Sequence, residues 1–322
     1  MPRTIDWGLT KDILNGVAIA SLIFAISVYM PFLGSFGIYF LPLPIIFYRL
    51  KLGRGNGAII PVATFCFMAM IIGSISFELL FFFELLLTGF VLGELLELGL
   101  SIEKTILYTC CSVIVSAIFG LLIYSNMIDT GIFEMVSEYV AKTLEMVVVM
   151  YREIGMPEED IQSISGLLET FQYVLVRIIP ALTIATALII IWANILLVKP
   201  LLNTRGITYP DFEQLKTWKA PEILVWGFIA SGIMLFLPAK PLLVIGLNCI
   251  IILMTVYFFQ GIAIVSFYFE KKQLPRLLRF SLYSLGFIVL RQLLIFIVSL
   301  IGFFDIWIDF RKLENKMKNQ ES

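Results

Sequence analysis

The chain has 322 residues, 60% hydrophobic and 15% charged, with a net charge of −1 and a mean hydropathy of +0.96. Those proportions describe a polytopic α-helical membrane protein and offer nothing of the basic surface that a nucleic-acid partner requires. The sequence has no histidine. That removes the commonest general base, the usual neutral-pH proton switch and most zinc sites, so no enzymatic role, metal or cofactor is expected.

Uncharged runs at 13–48, 55–77, 105–128, 178–198 and 241–269 each reach the ~18 residues that suggest a membrane span, and 223–239 falls just short. Together with the apolar stretches around them they give about nine spans: 13–30, 36–50, 58–74, 77–98, 105–124, 171–198, 222–237, 242–269 and 277–304. Asp6, Lys11 and Asp12 precede the first run with no small-x-small site closely behind it, so the start does not read as a cleaved signal peptide. Pro31, Gly34 and Gly37 break the first run in two. Pro42 and Pro44 are expected to kink the second span or leave it partly irregular. Gly53, Gly55 and Gly57 lack the Lys-Ser/Thr of a phosphate loop, and 49–57 reads as a tight basic turn. The four cysteines, Cys66, Cys110, Cys111 and Cys249, lie in apolar runs and read as small buried hydrophobes, not disulfides.

Lys and Arg cluster at 49–56, 199–219 and 270–279, all on one side of a nine-span chain. By the positive-inside rule that side is cytoplasmic, and the N-terminus with it. Segment 126–170 then lies outside, and its many acids and few bases are consistent with that. It reads as an extracytoplasmic helical hairpin: Phe133, Val136, Val140, Leu144 and Val147 form an apolar stripe, Glu138 and Lys142 make an i,i+4 pair, and Pro157 opens a second helix with acids in its first turn. Nine spans also put the tail outside, against the bias, because it carries Arg311, Lys312, Lys316 and Lys318. The expected fold is all-α, a polytopic transmembrane helical bundle of about nine spans with the hairpin between spans five and six. Its parts are a five-span bundle (1–125), the amphipathic segment (126–170), a four-span bundle (171–310) and a charged tail (311–322).

Chemistry is scarce, which makes the intramembrane charges informative. Arg291 stands alone in the last apolar run, and an ionisable group at that depth is a functional-site candidate by default. Glu84 and Arg177 each lie about six residues, or roughly 9 Å, inside the outer end of their spans. Glu78, Glu84, Arg177 and Arg291 are therefore expected to form a network open to the outer face, either a lock on helix register or a solute site. Asn248 and Gln260 add polar groups within spans, with interhelical bonding or ligand contact both open. Glu94 and Glu97 read as an ordinary helix end, and Gly89 with Gly93 as a small-xxx-small step for close helix packing.

The segments Pro42-Leu43-Pro44, Trp218-Lys219-Ala220-Pro221-Glu222, Phe259-Gln260-Gly261-Ile262-Ala263 and the ending from Gly302 to Arg311 together resemble the YybS-like family of bacterial inner-membrane proteins, whose function is undefined. The first five spans also resemble the substrate-binding (S) subunits of energy-coupling-factor transporters, on the four-residue spacing of Gly16 with Ala20 and of Ser21 with Ala25. That second resemblance implies a first helix that docks on a transmembrane coupling subunit, with an ATPase beyond it. The leading expectation is a bacterial cytoplasmic-membrane protein that binds a small polar or anionic solute within its bundle for transport with partner subunits. The alternative is a non-transporting scaffold or regulator that docks through 126–170.

Overall fold

The computed structural model describes residues 7–30, 34, 36–74, 76–207 and 215–312, leaving aside the side chains of Arg276, Phe280 and residues 286–292. Those residues form helices and no strand. Six of the helices are long and apolar enough to cross a membrane, and two shorter ones are apolar as well. A bilayer core offers no water to satisfy backbone groups, which selects helices for a chain this apolar. The chain packs as two compact units, 1–176 with 186–211, and 177–185 with 212–322.

The first unit begins with α1 (Trp7–Tyr29), whose buried face is Gly16, Ala20 and Phe24. A 3₁₀ turn at Ile38–Phe40 leads to α2 (Pro42–Ile72). The prolines expected to kink this segment start it instead. Pro42 and Pro44 occupy the first turn, where no intrahelical partner awaits an N–H and a fixed φ is pre-organised. The basic turn expected at 49–57 is a reversal inside α2. Gly53 has φ 77° and ψ 174°, open to glycine and strained for other residues. A Cβ on Gly57 would lie 2.8 Å from Arg49 Cα, so the halves of α2 run back to back.

After Ser76, whose Oγ caps the N–H of Leu79, α3 (Phe77–Glu97) packs on both halves of α2. The small-residue step does the work expected of it. A Cβ on Gly89 would meet Pro42 O at 2.7 Å, and one on Gly93 would meet Arg49 Cγ at 2.6 Å. Helix α4 (Ile102–Met127) follows. The amphipathic segment is two helices, α5 (Ile132–Glu153) and α6 (Glu158–Ser165), the second carrying Glu158, Glu159 and Asp160 in its first turn. Lys142 pairs with Glu138 at 2.8 Å. The hydrogen bond between them holds the Glu138 carboxyl below its ordinary range and the Lys142 ammonium above its own. Gln172 Nε2 donates to the carbonyl and hydroxyl of Ser137 and ties α5 to the start of α7 (Leu168–Thr204). All four cysteines are free, and Cys66 and Cys111 are exposed on the helix surface instead of buried.

In the second unit, residues 177–185 of α7 pack with α8 (Ile223–Phe236), α9 (Lys240–Lys271) and α10 (Arg276–Ile308). Phe228, Tyr257 and Phe303 form an aromatic core with centroids 4.6 to 5.9 Å apart. Along α10, Tyr283 lies 2.8 Å from Ser266 and Phe310 O lies 2.6 Å from the Tyr268 hydroxyl. A straight helix would set Tyr283 and Phe310 about 40 Å apart, so the chain doubles back between them. The stretch 277–304, expected as one span, is two antiparallel segments. The returning one touches α9 backbone to backbone: a Cβ on Gly261 would lie 2.0 Å from Val298 O, and one on Gly302 would lie 2.0 Å from Tyr257 O.

Candidate functional site

In the first unit, Phe65 from α2, Phe83 and Glu84 from α3, and Ser116, Phe119 and Tyr124 from α4 line a cavity of about 480 Å³. That falls within the ~300–1,000 Å³ typical of ligand sites. Glu84 sits two turns into α3, among the leucines and phenylalanines of that helix. One carboxylate oxygen accepts from Ser116 Oγ at 2.9 Å. The other is buried with no hydrogen-bond partner. Among the described residues no cation pairs with it. The site is therefore an aromatic recess with one under-satisfied acid, and an unpaired buried polar group is costly unless a ligand or water completes it.

Two further polar clusters escaped sequence reasoning. Arg49 is 1% exposed. Its Nε donates to Glu94 and one terminal nitrogen to Glu97, both at 2.5 Å, while Arg54 stands 3.6 Å from Glu94. The acids expected as an ordinary helix end are the counter-ions of a buried guanidinium. Glu94 and Glu97 are three residues apart and so share a helix face, and Gly57 and Gly93 mark where the chain closes on Arg49. Those glycines were the available signal.

The second cluster gathers three of the segments that carried the family resemblance. Arg311, expected to begin the charged tail, is 2% exposed. It donates to Asp305 at 2.8 Å and to the carbonyls of Lys216 and Trp218 at 2.9 and 3.0 Å. Gln260 donates to Asp305 at 3.1 Å and accepts from the Ala220 N–H at 3.2 Å. The Phe310 N–H closes on the other Asp305 oxygen at 2.9 Å. Lys216 also pairs with Glu270. Residues 215–220, the end of α9 and the end of α10 are thus stapled at one end of the unit.

The expected network is distributed between the units: Glu78 and Glu84 belong to the first, Arg177, Asn248 and Gln260 to the second. Glu78 is exposed in the first turn of α3. The Arg291 side chain lies outside the described residues. The amide of Asn248 is inserted into α7 beside Pro180, accepting from the Ala181 N–H at 3.0 Å and donating to the Arg177 carbonyl at 2.9 Å. It replaces the ladder bond those two backbone groups would otherwise share, a recognised cause of helix bending. With both ends of its amide on α7, Asn248 bridges the turn from Arg177 to Ala181. Of the stripe expected to dock a partner, Gly16 and Ala20 are buried, and a Cβ on Gly16 would lie 2.6 Å from Ile60. Small residues let α2 approach, so that part of the stripe serves internal packing. Ser21 and Ala25 are half-buried beside it.

Long apolar helices with acids and arginines folded between them define an integral membrane protein. The chain belongs to the family described as predicted membrane protein (DUF2232), which matches residues 18–306. It is also similar to the uncharacterized protein YybS of Bacillus subtilis (strain 168), 27% identical over 297 residues that cover 87% of this chain and 91% of that one. Neither match concerns the S subunits of energy-coupling-factor transporters. No solved structure matches.

Proposed function

We propose that this protein binds a small solute inside its first unit, at the Glu84 cavity, as the recognition component of a bacterial membrane system. The observation that carries the reading is the buried Glu84 oxygen without a partner beside a half-open apolar recess. The chain carries no nucleotide-binding motif, so energy for transport comes from partner subunits, a transmembrane coupling subunit and an ATPase. No catalytic role is proposed: Arg49 and Arg311 are held in ion pairs with Glu94, Glu97 and Asp305.

The membrane is the bacterial cytoplasmic one, with the basic ends inside. Arg311 shares its end of the second unit with Lys216 and the end of α9, so the fold-back of α10 returns Arg311 to the end of that unit that carries Lys216, Lys219, Lys271 and Lys272, which supports that orientation. The acidic helices α5 and α6 then face outward.

Filling the recess tests the reading. Gly120 lines it, and a Cβ there meets only the Leu80 side chain, at 3.4 Å. Gly120→Leu should abolish solute uptake in cells while leaving membrane insertion and thermal stability intact; unchanged uptake refutes the site. A second reading rests on α5, which exposes Met146, Val149 and Met150 between acids. There the chain is a scaffold that docks an envelope partner through 126–170. Affinity purification separates the two: an ATPase with a coupling subunit supports transport, and an envelope-assembly partner supports the scaffold.

A further inference from the structure

We infer that the Glu84 cavity takes an organic cation with an apolar body, a proposal that rests on the solute-binding reading and reverses the sign expected from the sequence. Among the described residues the lining carries one acid and no base, so they offer an anion no counter-charge. The carboxylate lies among four aromatic rings, Phe65, Phe83, Phe119 and Tyr124. Phe65 and Phe83 already meet edge to face with centroids 5.4 Å apart, fixing one wall. Ring faces attract quaternary or protonated amines through the aromatic quadrupole, most strongly where water is excluded. Ser116 holds one Glu84 oxygen, leaving the buried second oxygen as the unused acceptor. A cation seated over the carboxyl group would offset its charge through space, with a hydrogen bond added only by a protonated amine, while its apolar body would cover the aliphatic lining.

The chemistry fits either a free lipophilic amine or the choline headgroup of a lipid. Binding requires the carboxylate form of Glu84, so affinity falls as pH is lowered through its titration. Among the described residues of α2, α3 and α4 that line the cavity, Tyr124 is the other titratable group.

The test uses the full chain in maltoside micelles with radiolabelled tetraphenylphosphonium, and the uncharged triphenylphosphine oxide as a probe of like character. Saturable cation binding is expected, about 10- to 100-fold weaker in Glu84→Gln, weaker at acid pH, and blocked by Gly120→Leu. Glutamine keeps the shape and the Ser116 bond, so this variant folds, and its melting curve verifies that. Equal cation binding by wild type and Glu84→Gln overturns the inference. Binding of the neutral probe alone, blocked by Gly120→Leu, also overturns it but leaves the cavity as the solute site. If neither probe binds, or Gly120→Leu changes nothing, the solute-binding reading itself falls. Displacement of the bound cation by phosphatidylcholine but not phosphatidylglycerol identifies a choline headgroup; persistence in both lipids identifies a free solute. Either result supports the cation.

Discussion

Replacing Gly302 with alanine is the sharpest probe of how the second unit is held together. The added methyl would sit 2.0 Å from Tyr257 O and Gly261 N would be 2.9 Å away. A carbon needs about 3.3 Å or more from a carbonyl oxygen, so α9 and the returning part of α10 must separate by more than an ångström. That loosens the contacts of Tyr257, which is fully buried, and of Phe303. Overpacking of a filled core costs about 1–3 kcal/mol. Gly302→Ala belongs at the upper end, because the obstacle is backbone and cannot rotate away, and Gly261→Ala faces the same carbonyl barrier at Val298. Gly232 in α8 is the control: nothing lies within 4 Å of its Cβ position, and alanine there should be neutral or stabilising by up to about 1 kcal/mol. A thiol-reactive dye reads unfolding through the half-buried Cys249 in the same unit. Equal melting temperatures for Gly302→Ala and Gly232→Ala would refute the backbone contact.

Removing one partner of a buried ion pair strands the other, at about 3–5 kcal/mol, so Asp305→Ala should lower the melting temperature far more than the double variant Asp305→Ala/Arg311→Met. Glu94→Ala should be similarly severe, whereas Glu97→Ala, at a residue 58% exposed, should change stability by under about 1 kcal/mol; comparable losses would sink the ranking. Asn248→Leu leaves the Ala181 N–H and Arg177 carbonyl to each other, so the direct ladder bond between them should form, seen as a changed spin-label distance across Pro180, with about 1–2 kcal/mol lost. Glu138 titrates below its ordinary range, so the support it lends α5 is present above the usual carboxylate pKa and fades as pH falls through the lowered one. Amide exchange in α5 should therefore quicken at acid pH in the wild type and show a smaller change in Glu138→Gln.

Most of the helices were legible because a bilayer imposes a single requirement, an uncharged run of sufficient length. Turn chemistry was equally readable where it was local, as at Gly53 and Pro157. The fold-back of α10 was not. A doubled apolar helix has the same composition on both limbs as a long single one, and Arg291 was read as the middle of one span. The Arg49 clamp was hidden by sequence distance: nothing local in Arg49 announces acids on the next long helix. Arg311 was hidden by its neighbours, since a base beside Lys312, Lys316 and Lys318 reads as one more charge of a charged tail. Glu84 was singled out by depth alone. Its companions proved to be rings and a serine, which carry no signal in an apolar run.

Helix α7 has one more consequence. Its residues 177–185 pack with the later part of the chain and the residues on either side pack with the earlier part. No single cut in the gene can therefore yield both units whole. A fragment starting beyond residue 211 would lose the strip that Asn248 grips, and one ending before 177 would lose Ile190 from its own hydrophobic centre. Evolution could shuffle neither half as a cassette without rebuilding the other, and laboratory dissection inherits the same constraint.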